Sequence, residues 1–148
     1  MSTASLPKIG MASDHAGFEL KGYLKEFLII RGYAVEDFGT YSAESMDYPD
    51  VAHPLANSVS AGECNLGIAI CGSGNGISMT LNKHADIRAA LCWTPELAAL
   101  AKLHNDANIL SLPARYISKE LAEEIVTTFL SSEFEGGRHL CRVNKIKI

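Results

Sequence analysis

The chain has a single tryptophan, no Cys-x-x-Cys pair, no excess of basic residues and no apolar run of membrane length. Each absence removes a class of function. A membrane helix needs about 20 consecutive apolar residues, and the first eight residues, MSTASLPK, lack the basic start and apolar core of a secretory signal. Neither a membrane nor a secreted protein is expected. A net charge of −4 leaves no broad basic footprint for nucleic acid, so any anion must be caught locally. Cys64, Cys71, Cys92 and Cys141 show neither a disulfide framework nor metal-ligand spacing. They read as free thiols of a reducing compartment, the cytoplasm, with no metal and no cofactor implied.

What is present is an ordinary composition for one folded unit. The 148 residues are 47% hydrophobic and 20% charged, enough for a single core. The most informative stretch is residues 66–83, LGIAICGSGNGISMTLNK. Its apolar start reads as a buried parallel strand that ends at Cys71. Gly72, Gly74 and Gly76 then allow a tight turn with uncovered backbone N–H groups at the start of a helix, a place suited to an anion. Ser73 and Asn75 alternate with these glycines, and Cys71 stands beside them as a candidate base or nucleophile. The plain alternative is a strand-to-helix turn with an inert thiol. The loop matches neither a Walker loop, which closes on Gly-Lys-Ser/Thr, nor a dinucleotide fingerprint, because Ile77 stands where the third glycine would be.

Along the chain, residues 8–12, 34–38, 66–70, 87–93 and 108–112 read as five strands. An amphipathic helix follows Gly17, with Leu20, Leu24, Phe27 and Leu28 on one stripe and Lys21, Lys25 and Glu26 off it. Residues 50–61 read as a further helix in which Pro54 is expected near the first turn. Thr94-Pro95-Glu96 is a strong helix start, with Leu97, Ala101 and His104 on one face, and residues 118–130 repeat Leu121, Ile125 and Phe129 at fours. Residues 131–148 have no strong period. Alternating strands and helices imply a single-domain α/β fold, a doubly wound, Rossmann-like parallel sheet of about five strands flanked by helices.

Ligands of such sheets bind beyond the carboxyl ends of the strands. Asp14-His15 and the stretch from Cys71 to Gly76 both follow strands and should share that edge. His104 ends a helix running back from it, roughly 15 Å away at 1.5 Å per residue. It therefore either lies outside the site or serves another subunit. Asp14 and His15 read as a loop acid and a proton carrier, or as an N-cap and its neighbour. Asp47 and Tyr48 read first as a solvated loop. Arg138 and Arg142, four apart, share a face if helical and suit phosphate oxygens, with Arg115 able to join them; a solvated basic tail is the other reading.

Several blocks in order, SDHAGFELK from Ser13, DYPD from Asp47, ICGSGNGIS from Ile70, NK at Asn82, IRAALC from Ile87, HNDANIL from His104 and EGGRHLCRV from Glu135, make the chain resemble the B-type ribose 5-phosphate isomerases. That family also holds galactose and allose 6-phosphate isomerases. The resemblance implies an aldose-ketose isomerase acting on ribose 5-phosphate, with Cys71 moving a proton between C2 and C1. Some members place a glutamate six positions after the cysteine, where this chain has Ile77, so it resembles the cysteine-using branch. The resemblance further implies that the Gly72–Gly76 backbone holds the enediolate oxygens and that Ser73 shuttles a proton between them. His104, with Asp14 nearby, opens the sugar ring, and Asn105 binds hydroxyls. His15, Arg115, Arg138 and Arg142 hold the phosphate, with Tyr48 and His139 as weaker candidates, and the tail 131–148 adds subunit contacts. It implies a homodimer with shared sites, which agrees with the placement of His104; a tetramer is the larger option.

Three alternatives stand beside it. One is an isomerase of a six-carbon sugar phosphate. Another is a non-catalytic sugar-phosphate or nucleotide sensor, which needs no cysteine at the strand end. The third, a flavodoxin-like module, is disfavoured by a short polar loop with no aromatic pair read beside it.

Overall fold

The computed structural model describes residues 5–148. Five strands, β1 (Ile9–Ser13), β2 (Val35–Asp37), β3 (Leu66–Cys71), β4 (Ala89–Leu91) and β5 (Ile109–Pro113), form one wholly parallel sheet in the order β2-β1-β3-β5-β4. Strands buried on both faces carry near-continuous apolar sequence, which is why these segments lack the alternation of a half-exposed sheet. The helices are α1 (Phe18–Ile30), α2 (Pro49–Ser60), α3 (Asn75–Leu81), α4 (Pro95–Leu103), α5 (Lys119–Ser131) and α6 (Arg138–Asn144).

Two apolar layers sandwich the sheet. Leu24 and Leu28 of α1, Ala98 and Ala101 of α4, and Ile125 and Phe129 of α5 pack on Ile9, Met11, Ile68, Ile70, Leu110 and Leu112. On the opposite face, Leu55 and Val59 of α2 with Ile77 and Leu81 of α3 pack on Ala12, Ala69, Cys71 and Ile109. Truncating one of these fully buried side chains to alanine costs about 2–5 kcal/mol. Successive strand residues point to opposite faces, so Ile70 enters the first layer and Cys71 the second. Because α1 and α3 leave β1 and β3 towards opposite faces, a crevice opens between the ends of these two neighbouring strands.

The expected caps form. Thr94 Oγ1 accepts the Leu97 N–H at 3.2 Å, and Ser118 Oγ accepts the Leu121 N–H at 3.0 Å. Other details depart from the local pattern. Lys21, assigned to the polar side of α1, is 1% exposed. Pro54 lies in the body of α2, exposed, where the Asp50 carbonyl it leaves free can meet water. On α4 the fully buried positions are Ala98 and Ala101, with Leu97 half-buried and His104 already the C-cap. Strand β4 is shorter than residues 87–93. The Asn108 side chain holds the Arg88 N–H and the Asp86 carbonyl, and Asn82 exchanges two hydrogen bonds with the Ala89 backbone along this edge strand. The tail 131–148, without a period in sequence, contains α6, which brings Arg138 and Arg142 onto one helix.

Candidate active site

Strand β3 delivers Cys71 to the carboxyl edge of the sheet, and the chain turns at once into α3. Cys71 is 4% exposed, and its Sγ accepts the Gly74 N–H at 3.2 Å. The loop is fixed from below: the Cys71 and Gly72 carbonyls accept the N–H groups of Ala114 and Arg115 at 2.9 and 3.1 Å. Gly74 has φ +78°, a left-handed backbone that needs glycine, and a Cβ there would lie 2.4 Å from Leu91. Gly72 and Gly76 also leave room for neighbouring side chains. The absent Cβ of Gly72 leaves room for the Arg115 guanidinium, and that of Gly76 for the Tyr48 ring, whose Cζ would otherwise be 2.4 Å away. The glycines admit two of the chain's own side chains as walls. Ser73 and Asn75 are exposed on the same loop, with Ser73 Oγ accepting the Asn75 N–H at 3.3 Å.

Across the crevice, Asp14 caps the short 3-10 turn His15–Gly17, its Oδ1 accepting the Gly17 N–H at 3.1 Å. The capping reading of Asp14 is thus realised. Its own N–H bonds to the Ile70 carbonyl at 3.2 Å, which ties the β1 loop to the β3 loop. His15 is half-buried, and its Nδ1 accepts the Met46 N–H at 3.2 Å. That bond assigns the neutral ring's proton to Nε2, leaving it as the donor. Asp47 is exposed, whereas the neighbouring Tyr48 is half-buried and packs against the apolar layer beneath Cys71.

The remaining site residues lie at the other end of the sheet. His104 caps the end of α4, and the following Asn105 lines a cleft of roughly 270 Å³ with Asn82, Arg88, Ala89 and Ile146. The Glu135 N–H bonds to the Leu103 carbonyl at 3.1 Å and so fastens the tail beside His104. Glu135 Oε1 is 3.3 Å from His104 Nε2 and 3.8 Å from His139 Nε2, and the two imidazoles stack at 4.2 Å between centroids. Burial, then the charges of His104 and Arg138, push the His139 pKa down. Arg138 and Arg142 are exposed on α6. The sheet therefore separates Asp14, His15, Tyr48, Cys71, Ser73, Asn75 and Arg115 from His104, Asn105, Arg138 and Arg142.

Among the described residues, His104, Glu135 and His139 are the group close enough to hold a metal ion. An imidazole binds a metal in its own plane. These two planes are only 12° from parallel and stacked, so they share no such point. The arrangement suits two rings sharing one carboxylate.

Sequence reading missed an aromatic pair. Trp93, after β4, and Tyr116, after β5, are 53% and 75% exposed and line a cleft of roughly 490 Å³ with Ser73, Asn75, Leu91 and Pro113. Two aromatic side chains thus stand beside the loop, where the sequence reading had placed none. A groove of similar size between α1 and α5 is lined by Glu120, Glu123 and Glu124 against one cation, Arg31, a balance unfavourable to an anionic substrate.

Comparison with known proteins agrees with this fold. The Ribose/Galactose Isomerase family model matches residues 9–146. Ribose-5-phosphate isomerase B of Escherichia coli is 45% identical over 141 residues, 95% of either chain. The solved structure of a ribose 5-phosphate isomerase B from Thermotoga maritima is 53% identical, with TM-score 0.94, covering 95% of this chain and 97% of that one. That of Mycoplasma genitalium ribose-5-phosphate isomerase B, solved with bound ribulose-5-phosphate, is 41% identical with TM-score 0.90, covering 94% and 93%. With its fold, its length and nearly all of its sequence matched in this way, the chain belongs to the Ribose/Galactose Isomerase family.

Proposed function

We propose that the protein interconverts ribose 5-phosphate and ribulose 5-phosphate, with Cys71 as the base, in a site completed by a second copy of the chain. The observation that carries the chemistry is the Gly74 N–H aimed at Cys71 Sγ, within a loop flanked by Asp14, His15, Tyr48 and Arg115. Family membership carries the reaction class.

The proton on C2 of the open-chain sugar is a weak acid, and a thiolate removes it only if the charge left behind is stabilised. Cys71 takes this proton, the C2–H electron pair enters the enediolate, and the thiol, whose proton can exchange with solvent in the interval, returns one to C1. The Gly72–Gly76 backbone meets the developing negative charge with those of its N–H groups that are not already given to Cys71 Sγ and Ser73 Oγ. Ser73, exposed on the same loop, moves the hydroxyl proton between O1 and O2. The phosphate is remote from these carbons. Its binding by His15, Arg115, Arg138 and Arg142 holds C2 against the sulfur and so contributes to the rate without touching the reacting atoms.

Ring opening precedes this step. His104 protonates the ring oxygen while Asp14 assists, and Asn105 binds hydroxyls. The two groups of residues occupy opposite sheet edges of one chain, so a neighbouring copy brings His104, Asn105, Arg138 and Arg142 to the Cys71 loop. A symmetric dimer with two shared sites meets this need, and a pair of such dimers would preserve it. Buried, unpaired Cys64, Cys71 and Cys92 support a cytoplasmic, reducing location. No helix of the described residues is long and apolar enough to cross a membrane.

A six-carbon sugar phosphate is the second reading, favoured by the cleft of roughly 490 Å³ continuing from Ser73 and Asn75. Rates on ribose 5-phosphate, allose 6-phosphate and galactose 6-phosphate, measured side by side, decide between them. The ribose ester is expected to be fastest; a faster six-carbon ester reverses the assignment. Cys71→Ala should abolish exchange of the C2 proton with deuterated water while the fold and ligand binding persist. Absence of exchange in the parent protein would instead indicate a sensor.

A further inference from the structure

Lys21 is among the largest fully buried side chains of the described residues, and no step of the proposed reaction uses it. Its Nζ donates to Asp37 Oδ1 and to the Thr40 carbonyl, both at 2.6 Å, and lies 5.4 Å from the centre of the Tyr41 ring. Lys25 reaches the other Asp37 oxygen at 3.4 Å, and the Gly39 N–H donates to Oδ1 at 2.9 Å. Next to this knot, Ser13 and the Gly39-Thr40 segment exchange backbone hydrogen bonds of 2.8 and 2.7 Å. All these partners lie where β2 opens into the connection to α2, which contains no helix or strand between residues 38 and 48. The far end of this connection carries the Met46 N–H that fixes His15 and the Tyr48 ring that fills the space at Gly76.

We infer that Lys21 is a positioning residue: its buried ammonium clamps the root of the 38–48 connection, which in turn holds His15 as its Nε2–H tautomer and seats Tyr48 against the Cys71 loop. A lysine without a charged partner at this depth would be strongly unfavourable. The loop is thus drawn to the one place that satisfies the ammonium, at the expense of its own freedom. The inference rests on the proposed substrate-binding roles of His15 and Tyr48.

Stability and positioning separate in a double variant. Lys21→Met alone leaves Asp37 facing only Lys25 and the Gly39 N–H, and it is expected to lower the melting temperature. Combining Lys21→Met with Asp37→Asn removes both charges and keeps an acceptor for the Gly39 N–H, which should restore much of the stability. The clamp on Thr40 stays absent. The double variant is expected to raise KM for ribose 5-phosphate about tenfold with kcat changed less than about threefold, and ¹⁵N NMR should find His15 divided between its two tautomers. An unchanged His15 spectrum overturns the inference whatever the kinetics. A changed spectrum with the parent KM upholds the clamp and removes His15 from the substrate site.

Discussion

Cys71 closes β3 at the carboxyl edge of the sheet, whereas His104 precedes the opposite end of β5. The ladder pairs Gly67 with Ile109 and Cys71 with Pro113, so the two side chains are separated by at least the four residue-to-residue steps from Gly67 to Cys71. At 3.3 Å per residue that is about 13 Å, well beyond the reach of one sugar carbon and its ring oxygen. One chain therefore holds apart a loop whose thiol accepts the Gly74 N–H and a helix end with stacked imidazoles and two arginines, which the proposed function joins through a second copy.

Replacing His104 by alanine removes a group assigned to ring opening and leaves the proton-transfer loop intact. The expected loss is large with cyclic ribose 5-phosphate and small with an analogue that cannot close its ring, compared as kcat/KM. Equal losses on both would assign His104 to a step after ring opening.

Gly76→Ala places a methyl group 2.4 Å from the Tyr48 ring. Overpacking of this kind costs about 1–3 kcal/mol, and displacement of Tyr48 should reduce kcat/KM by about tenfold. Adding Tyr48→Ala vacates the space. The double variant is expected to recover the melting temperature without recovering activity. Activity restored along with stability would make Tyr48 a spacer with no contact to substrate.

Acid should weaken the fold through Asp37. Burial pushes its carboxyl pKa up, but the hydrogen bonds from Lys21 and Gly39 and the charges of Lys21 and Lys25 outweigh burial and hold it below 3.8. A carboxyl depressed in the folded state stabilises fully above its unfolded pKa and loses that contribution as pH falls through the folded value. Asp37→Asn should therefore be less stable than the parent at neutral pH, and the gap should narrow below about pH 4 in urea denaturation. A gap independent of pH would mean that Asp37 is not held ionised by its partners.

The Cys71 strand, its glycine loop, the five-stranded parallel sheet and the pairing of Arg138 with Arg142 were legible because local pattern carries them. Apolar runs, glycine spacing and a four-residue interval lie within a few residues of one another. Lys21 was misread for the opposite reason. Its partners, Asp37 and Thr40, are 16 and 19 residues away, and a helical stripe treats any lysine off the apolar face as solvated. Trp93 and Tyr116 escaped notice because β4 and β5 become neighbours only in the folded sheet. The role of Glu135 beside His104 likewise depends on a tail whose helix has no apolar period.

The division of the site between two copies is tested most directly by mixing two inactive variants, Cys71→Ala and His104→Ala, after dissociation and reassociation. In a shared-site dimer half of the assemblies are mixed, and each mixed dimer holds one intact site, so activity should return to about a quarter of the parent level. Activity that stays at the sum of the two separate variants would mean that each chain supplies its own Cys71 and His104, and the account of a divided site would be wrong.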